Sequence, residues 1–247
     1  MAETKTTTPP TPTHESDVVI QKAKGFWAQY SKPITYIGGA IILIIGGWYG
    51  YQNFIKLPKE KSANDAIYAA EAIFDKMGST AFSKDSVDLV LKGGNTPDGK
   101  KITGLLKVIS SYGGTESGNR AKYMAGASYL QMKDFDNAIK LLKEFDAHGA
   151  TQIQMAAYRM LGDAYSEKKN IDEALSYYKK AATVNEKDEA FTGDALMRAA
   201  SYAQAMGKNT EAIDLYKKLK NNFPTNSSVT SGEVDKQLAS LGQLDSN

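Results

Sequence analysis

The sequence predicts an all-α protein in which a solenoid of helical repeats follows one membrane-spanning helix near the N-terminus. Three observations lead to this prediction. Residues 34–51 contain no charged side chain. Three later segments resemble one another at spacings of 36 and 38 residues. The rest of the chain is rich in alanine, leucine, lysine and tyrosine and lacks alternating valine-rich runs, so we expect helices and not strands.

The composition excludes several classes of function. The chain has no cysteine, and its two histidines, His14 and His148, are far apart in sequence. Thiol chemistry is therefore impossible, and we expect neither a metal site nor a cofactor. The 30 basic residues nearly balance the 28 acidic ones, so a nucleic-acid partner is not expected. A small-molecule substrate is not expected either.

The N-terminal part divides into a tail, a juxtamembrane segment and the span. Residues 1–17 are rich in threonine and proline and are expected to form a disordered tail. A juxtamembrane segment at 18–32 precedes a transmembrane helix at 33–55. At about 1.5 Å per residue, the 22 residues from Ile34 to Ile55 span roughly 30 Å, the thickness of a bilayer core.

Two other interpretations of the apolar stretch are less favourable. A buried helix of this length in a soluble protein normally carries a polar face. A cleaved signal peptide needs small residues at its cleavage site, whereas Trp48, Tyr49 and Tyr51 occupy this region. We therefore expect a retained anchor, with aromatic residues near both ends at the level of the lipid headgroups.

The residues around the span leave its orientation and its partners open. Three lysines precede it and three follow it closely, so the positive-inside rule does not decide the orientation. Gly39, Gly46 and Gly50 form a strip of small residues on which another helix could pack. Glycine is also common in membrane helices for other reasons, so helix pairing stays an open alternative.

The repeats are identified by alanines at equivalent positions. Ala138, Ala174 and Ala212 each follow an acidic or polar pair, and a small residue stands twelve positions upstream of each, at Gly126, Gly162 and Ala200. The middle copy carries Leu-Gly-x-x-Tyr at residues 161–165. This pattern resembles the tetratricopeptide repeat, a helix-turn-helix unit of 34 residues, and implies that the small residues allow close helix packing.

We assign residues 56–229 to the repeat domain and 230–247 to a capping helix with a C-terminal tail. A degenerate first unit is expected to use Ala63–Met77 and Lys101–Tyr112 as its two helices. Between them we expect a short helix over Ser83–Leu91 and an irregular loop over Gly93–Gly99. The cap is expected over Gly232–Leu244, with an apolar side that covers the last repeat.

A closer resemblance is carried by Gly104–Lys107, Tyr112–Thr115 and Gly118–Tyr123, together with the layout of anchor and repeats. These features are similar to the bacterial YfgM-like family, especially its Bacteroidetes members, which includes the ancillary subunit of the Sec translocon. The resemblance implies a single-pass protein of the inner membrane, with its N-terminus in the cytoplasm and its repeats in the periplasm. It also implies protein partners, namely SecYEG subunits and a periplasmic chaperone or prolyl isomerase. A scaffold for cell division or outer-membrane assembly is the alternative.

No residues in the sequence form a convincing catalytic site. Asp163, Glu167, Asp172 and Glu173 are better explained as a solvated helix face and turn, so we expect no enzyme activity. Binding is expected on the concave face, which the first helix of each repeat lines. The repeat phase places the following residues there: Arg120, Tyr123, Gln131, Arg159, Asp163, Glu167, Asp194 and Met197.

Overall fold

The structure, a computed structural model, describes residues 14–78 and 83–243, and it divides into two units at Pro58 and Lys59. Most of the tail predicted at 1–17 lies outside the described residues. In the first unit, helix α1 covers His14–Tyr51 and continues through Pro33, the expected start of the span. Its apolar side chains are exposed, with Leu43 77% and Trp48 62% accessible. Within the described residues, one N-terminal helical stretch is long and apolar enough to cross a membrane.

A π-helical turn over Gln52–Lys56 follows α1, and helix α2 covers Leu57–Met77. The Leu57 amide donates to the carbonyl of Gln52, five residues earlier instead of four. Pro58 has no amide hydrogen, and in a regular helix its ring would clash with the carbonyl four residues earlier. The wider turn therefore accommodates the proline at the end of the apolar stretch.

The described residues of the second unit form helices and one short hairpin. Helix α3 covers Lys84–Lys92, and strands β1 at Gly93–Asn95 and β2 at Lys101–Thr103 form the hairpin. The remaining helices are α4 at Leu105–Tyr112, α5 at Glu116–Gln131, α6 at Phe135–Glu144, α7 at Thr151–Glu167, α8 at Ile171–Ala181, α9 at Glu189–Ala205, α10 at Asn209–Asn222, α11 at Ser227–Thr230 and α12 at Glu233–Ser240.

Three helix pairs, α5–α6, α7–α8 and α9–α10, form the repeats. The small residues lie at the contacts inside these pairs, as the repeat pattern predicts. A Cβ atom added at Gly162 would lie 2.5 Å from the Tyr178 ring, and one at Gly126 would lie 2.7 Å from Cγ of Leu142. The alanines that mark the second helices, Ala138, Ala174 and Ala212, are fully buried. The pairs therefore pack at a distance that only small residues allow.

The region before these pairs differs from our expectation. Gly93–Gly99 is part of an antiparallel hairpin, in which Gly94 pairs with Ile102, and not an irregular loop. The helix expected from Lys101 begins only at Leu105, because residues 101–103 are β2. Helix α3 packs against both α4 and α5, so this region is a helix–hairpin–helix unit and not a simple helical pair.

The turn of the hairpin is a β-turn formed by residue types that are typical of such turns. The Gly99 amide donates to the carbonyl of Thr96, which closes a β-turn with Pro97 and Asp98 in the middle. Proline presets the dihedral angle at the first of these positions. Gly99 itself adopts φ +81°, where a side chain would be strained. The turn directs Ile102 into the core, where it is 5% exposed.

Further contacts lie at the two ends of the second unit. Glu60 of α2 accepts hydrogen bonds from the amides of Glu116 and Ser117 at 3.0 and 3.1 Å, so its carboxylate caps the N-terminus of α5. At the C-terminal end, α12 packs on α10. Val234 and Leu238 of α12 are buried in the same cluster as Leu219.

Candidate functional site

A groove with a volume of about 860 Å³ runs between α7 and α9, with residues of α8 at its base. The volume is within the range of roughly 300–1,000 Å³ that is common for ligand pockets. The groove is open to solvent, because Arg159, Asp194 and Arg198 on its rim are exposed. Its lining residues are Gln152, Met155, Ala156, Arg159, Tyr178, Ala181, Phe191, Asp194, Ala195, Met197, Arg198, Ser201 and Tyr202.

Small side chains create the recess and flexible ones form its walls. Ala156, Ala181 and Ala195 leave space between the helices, and Met155 and Met197 border it. Methionine side chains adapt to irregular apolar surfaces. Phe191 is 46% exposed at the start of α9, where its amide donates to the capping carboxylate of Asp188. The groove therefore combines an adaptable apolar base with an exposed aromatic side chain.

Tyr178 links the base of the groove to the charged groups beside it. Its hydroxyl donates to the Asp163 carboxylate at 2.7 Å, and Arg198 lies 3.7 Å from the same oxygen. The Tyr178 ring also packs edge-on against Tyr202, with centroids 5.0 Å apart. Burial and, secondly, the bond to Asp163 raise the pKa of the Tyr178 hydroxyl well above its usual value. The raised pKa keeps the Tyr178 hydroxyl protonated, and its bond to Asp163 holds the ring at the base of the groove.

Arg159 lies between the groove and the preceding repeat. Burial raises the pKa of the Tyr123 hydroxyl in α5, and the charge of Arg159 opposes this increase. Tyr123 itself packs against Phe145, with ring centroids 5.2 Å apart. The charge of Arg159 thus acts on Tyr123 of α5 in the preceding repeat as well as on the groove.

The structure brings together only part of the predicted binding face. Arg159, Asp194 and Met197 line the groove. Asp163 lies beside the groove, where it accepts the hydrogen bond of Tyr178. Gln131 and Glu167 are exposed at the last residues of α5 and α7 and do not line the groove.

Arg120 has a different environment from the other predicted face residues. Its guanidinium lies 3.2 Å from the Glu71 carboxylate and 3.2 Å from the Asn64 side-chain oxygen, both on α2. These contacts connect α5 to α2. Arg120 therefore has a structural role in the contact between helices.

Several groove residues were missed by the sequence interpretation, although a periodic pattern was present. On α9 the lining residues recur at intervals of three and four from Phe191 to Tyr202, and on α7 they recur in the same way from Gln152 to Arg159. This spacing defines one face of a helix. The contribution of Tyr178 had no comparable signal, because it depends on how α8 packs against both first helices.

Two of the four carboxylates considered for catalysis, Asp163 and Asp172, make structural contacts. Asp163 accepts the bond from Tyr178, and Asp172 lies 2.8 Å from the Lys208 ammonium of the next repeat. His148 contacts Glu116 through one ring nitrogen, at 3.0 Å, and Asp146 through the other, at 3.5 Å. In the described part of the chain, no group of three or more His, Asp and Glu residues is arranged so that it could hold a metal ion.

The glycine strip of the apolar helix faces open space. A Cβ atom added at Gly39, Gly46 or Gly50 would have no heavy atom within 4 Å among the described residues. The strip therefore stays available for another helix, and its use for packing stays a prediction.

Repeated helix pairs with a groove between their first helices define the class of helical-repeat interaction domains. The family described as "Tetratricopeptide repeat-like domain" matches residues 24–243. The chain belongs to this family, and its fold is that of a tetratricopeptide-repeat solenoid. The family and the fold are typical of scaffolds that bind proteins.

Solved structures are similar to the chain at low sequence identity. One is the crystal structure of "Podosopora anserina putative kinesin light chain nearly identical TPR-like repeats", with 15% sequence identity and a TM-score of 0.52. The match covers 72% of this chain and 87% of the other chain. A variant of that protein with one substituted residue has 14% sequence identity to this chain and a TM-score of 0.51, with the same coverage. The crystal structure of MamA protein has 18% sequence identity to this chain and a TM-score of 0.48. The match covers 74% of this chain and 86% of the MamA chain. No curated protein sequence matches the chain.

Proposed function

We propose that the chain is a membrane-anchored, non-enzymatic module that binds other proteins through the groove between α7 and α9. The observation that carries this proposal is the groove itself, an open recess with an apolar base and a charged rim in a tetratricopeptide-repeat domain. Such surfaces gain their affinity from a few anchoring side chains that lose contact with water. The apolar helix α1 would hold this module at a bilayer.

The finer proposal concerns the compartment and the complex. The module would lie in the periplasm, with the N-terminus of the chain in the cytoplasm, as an ancillary subunit of the SecYEG translocon in the bacterial inner membrane. It would bind a periplasmic chaperone or prolyl isomerase, or a chain that emerges from the channel. This proposal is supported by the resemblance of Gly104–Lys107, Tyr112–Thr115 and Gly118–Tyr123 to the YfgM-like family.

Protease access tests the orientation. In spheroplasts, added protease should degrade an epitope placed after Gln243 and leave an epitope within residues 1–13 intact. The reverse pattern would contradict a periplasmic repeat domain.

Copurification tests the complex. After extraction with a mild detergent, the tagged full chain should recover Sec channel subunits together with a periplasmic partner. Bulky substitutions at Gly46 and Gly50 should reduce the recovery of channel subunits, because the glycine strip would form the helix contact. Substitution of Phe191 by alanine should reduce only the recovery of the periplasmic partner.

A matched control and a contrary outcome make this test specific. Tyr68 on α2 is 73% exposed and does not line the groove, so Tyr68→Ala should leave both recoveries unchanged. Recovery of division or outer-membrane assembly proteins without any Sec subunit would reject the translocon proposal. It would favour the scaffold role instead.

A further inference from the structure

The charged side chains at the groove differ in whether they are paired. Two arginines, Arg159 and Arg198, lie on its rim, and one acidic residue, Asp194, is among its lining residues. Asp163, beside the groove, already accepts a hydrogen bond from Tyr178 and lies near Arg198. Asp163 therefore offsets Arg198, and within the described residues Arg159 and Asp194 are the groove charges that stay open to an occupant.

Arg159 differs from the other arginines of the chain. The sequence contains three arginines. Arg120 pairs with Glu71 at 3.2 Å, and Arg198 lies 3.7 Å from Asp163. In residues 14–78 and 83–243, no carboxylate lies within 4.0 Å of the Arg159 guanidinium, although its side chain is exposed on the groove rim. Arg159 is therefore positioned to pair with a carboxylate from outside.

The apolar base lies directly beside this free charge. Met155 and Ala156 precede Arg159 by one helical turn on the same face of α7, and Met197 and Phe191 come from α9 opposite. Phe191 is among the large apolar side chains that remain exposed, at 46%. An occupant that covers Phe191 and the partly exposed Met197 removes apolar surface from water, which favours binding.

We infer that the groove binds a segment of another protein in which an acidic side chain stands next to a bulky apolar one. The carboxylate pairs with Arg159, and the apolar side chain packs on Met155, Met197 and Phe191. This inference rests on the proposed function and specifies the chemistry of its partner. A basic side chain in place of the acidic one would face Arg159, and such a segment would bind poorly.

The experiment uses the full chain in detergent micelles and a display library of random 12-residue peptides. Peptides selected on the wild-type chain should be enriched in aspartate or glutamate adjacent to leucine, isoleucine, methionine or phenylalanine. One selected peptide, labelled with fluorescein, then serves as the probe for affinity measurements by anisotropy.

The variants separate the contribution of charge from that of apolar contact. Arg159→Glu should weaken binding of the probe by about tenfold or more, as expected for the loss of a close charge pair. The matched control Lys140→Glu, an exposed charge reversal on α6 away from the groove, should leave the affinity unchanged. Phe191→Ala should weaken binding, whereas Tyr68→Ala should not.

A charge exchange tests the direct contact. A probe in which lysine replaces the acidic residue should bind the wild-type chain weakly and should regain affinity for Arg159→Glu, because the pair is then restored with reversed signs. Circular dichroism of each variant shows that the fold is retained, so a loss of binding reports on the groove.

Enrichment of peptides without acidic residues, or equal affinity of the probe for wild type and Arg159→Glu, would overturn the inference. These outcomes are distinct from failure of the proposed function. If Phe191→Ala still reduces recovery of the periplasmic partner, the groove binds proteins but selects them by another chemistry. If neither peptides nor partner depend on the groove, both proposals are wrong.

Discussion

Single residues decide how closely the two helices of a repeat approach each other. At Gly162 the absence of a side chain lets the Tyr178 ring rest against the backbone of α7, where a Cβ atom would lie 2.5 Å from the ring. This contact holds Tyr178 in place to donate its hydrogen bond to Asp163 at 2.7 Å. A glycine of the repeat pattern therefore also shapes the base of the groove.

We predict that Gly162→Val lowers the free energy of unfolding by about 1–3 kcal/mol, because the valine side chain has no space beside the Tyr178 ring. Urea unfolding of the full chain in detergent, followed by circular dichroism, measures the change. Gly114 is exposed, with no heavy atom within 4 Å of an added Cβ, so Gly114→Val should stay within about 0.5 kcal/mol of wild type. Equal unfolding curves for both variants would contradict the assigned helix contact.

At the scale of elements, the ends of helices are connected by side chains from distant parts of the sequence. Glu60, near the start of α2, accepts hydrogen bonds from the first two amides of α5, which are 56 and 57 residues away. The Thr115 hydroxyl accepts a hydrogen bond from the Gly118 amide of the same helix. Together the two side chains provide acceptors for three of the amides that an α-helix leaves without internal partners.

The contact predicts that Glu60→Gln destabilises the second unit by about 1 kcal/mol, because a neutral amide is a weaker acceptor and loses the interaction with the helix dipole. Thermal unfolding measured by circular dichroism would detect a lower melting temperature. Asp65→Asn is the matched control, since Asp65 is an exposed acid on the same helix. If the control lowered the melting temperature as much as Glu60→Gln, the cap would not be responsible.

At the scale of the whole molecule, the core of the second unit is built without the apolar helix. Its three clusters of buried residues draw their members from Ile67 onward. In a repeat protein each unit packs mainly on its neighbours, and terminal helices such as α12 cover the last apolar surface. The second unit therefore contains the contacts that a repeat domain needs to fold.

We predict that a fragment of residues 59–247 is soluble and helical without detergent. Its melting temperature should lie close to that of the repeat domain in the full chain, and its affinity for the peptide probe should be unchanged, because the groove and Glu60 are both retained. Calorimetry and anisotropy measure the two properties. A fragment that is unfolded or aggregated would show that the repeats depend on α1.

The sequence by itself determined the class of fold, the apolar helix and the phase of three repeats. Glycine and alanine at fixed spacing are sufficient for this, because helix pairs that pack closely require small residues at regular positions. The hairpin was missed although Pro97, Asp98 and Gly99 carry typical turn chemistry. Its strands are only three residues long, too short to produce an alternating pattern.

Only the tertiary structure decided which charged residues are free to bind. Arg120 and Arg159 both lie in the first helix of a repeat, and the sequence predicted both for the binding face. In the structure Arg120 pairs with Glu71 of α2, whereas Arg159 lies on the groove rim beside Met155. Partners distant in sequence determine this difference, because whether an arginine is paired depends on which helices pack around it.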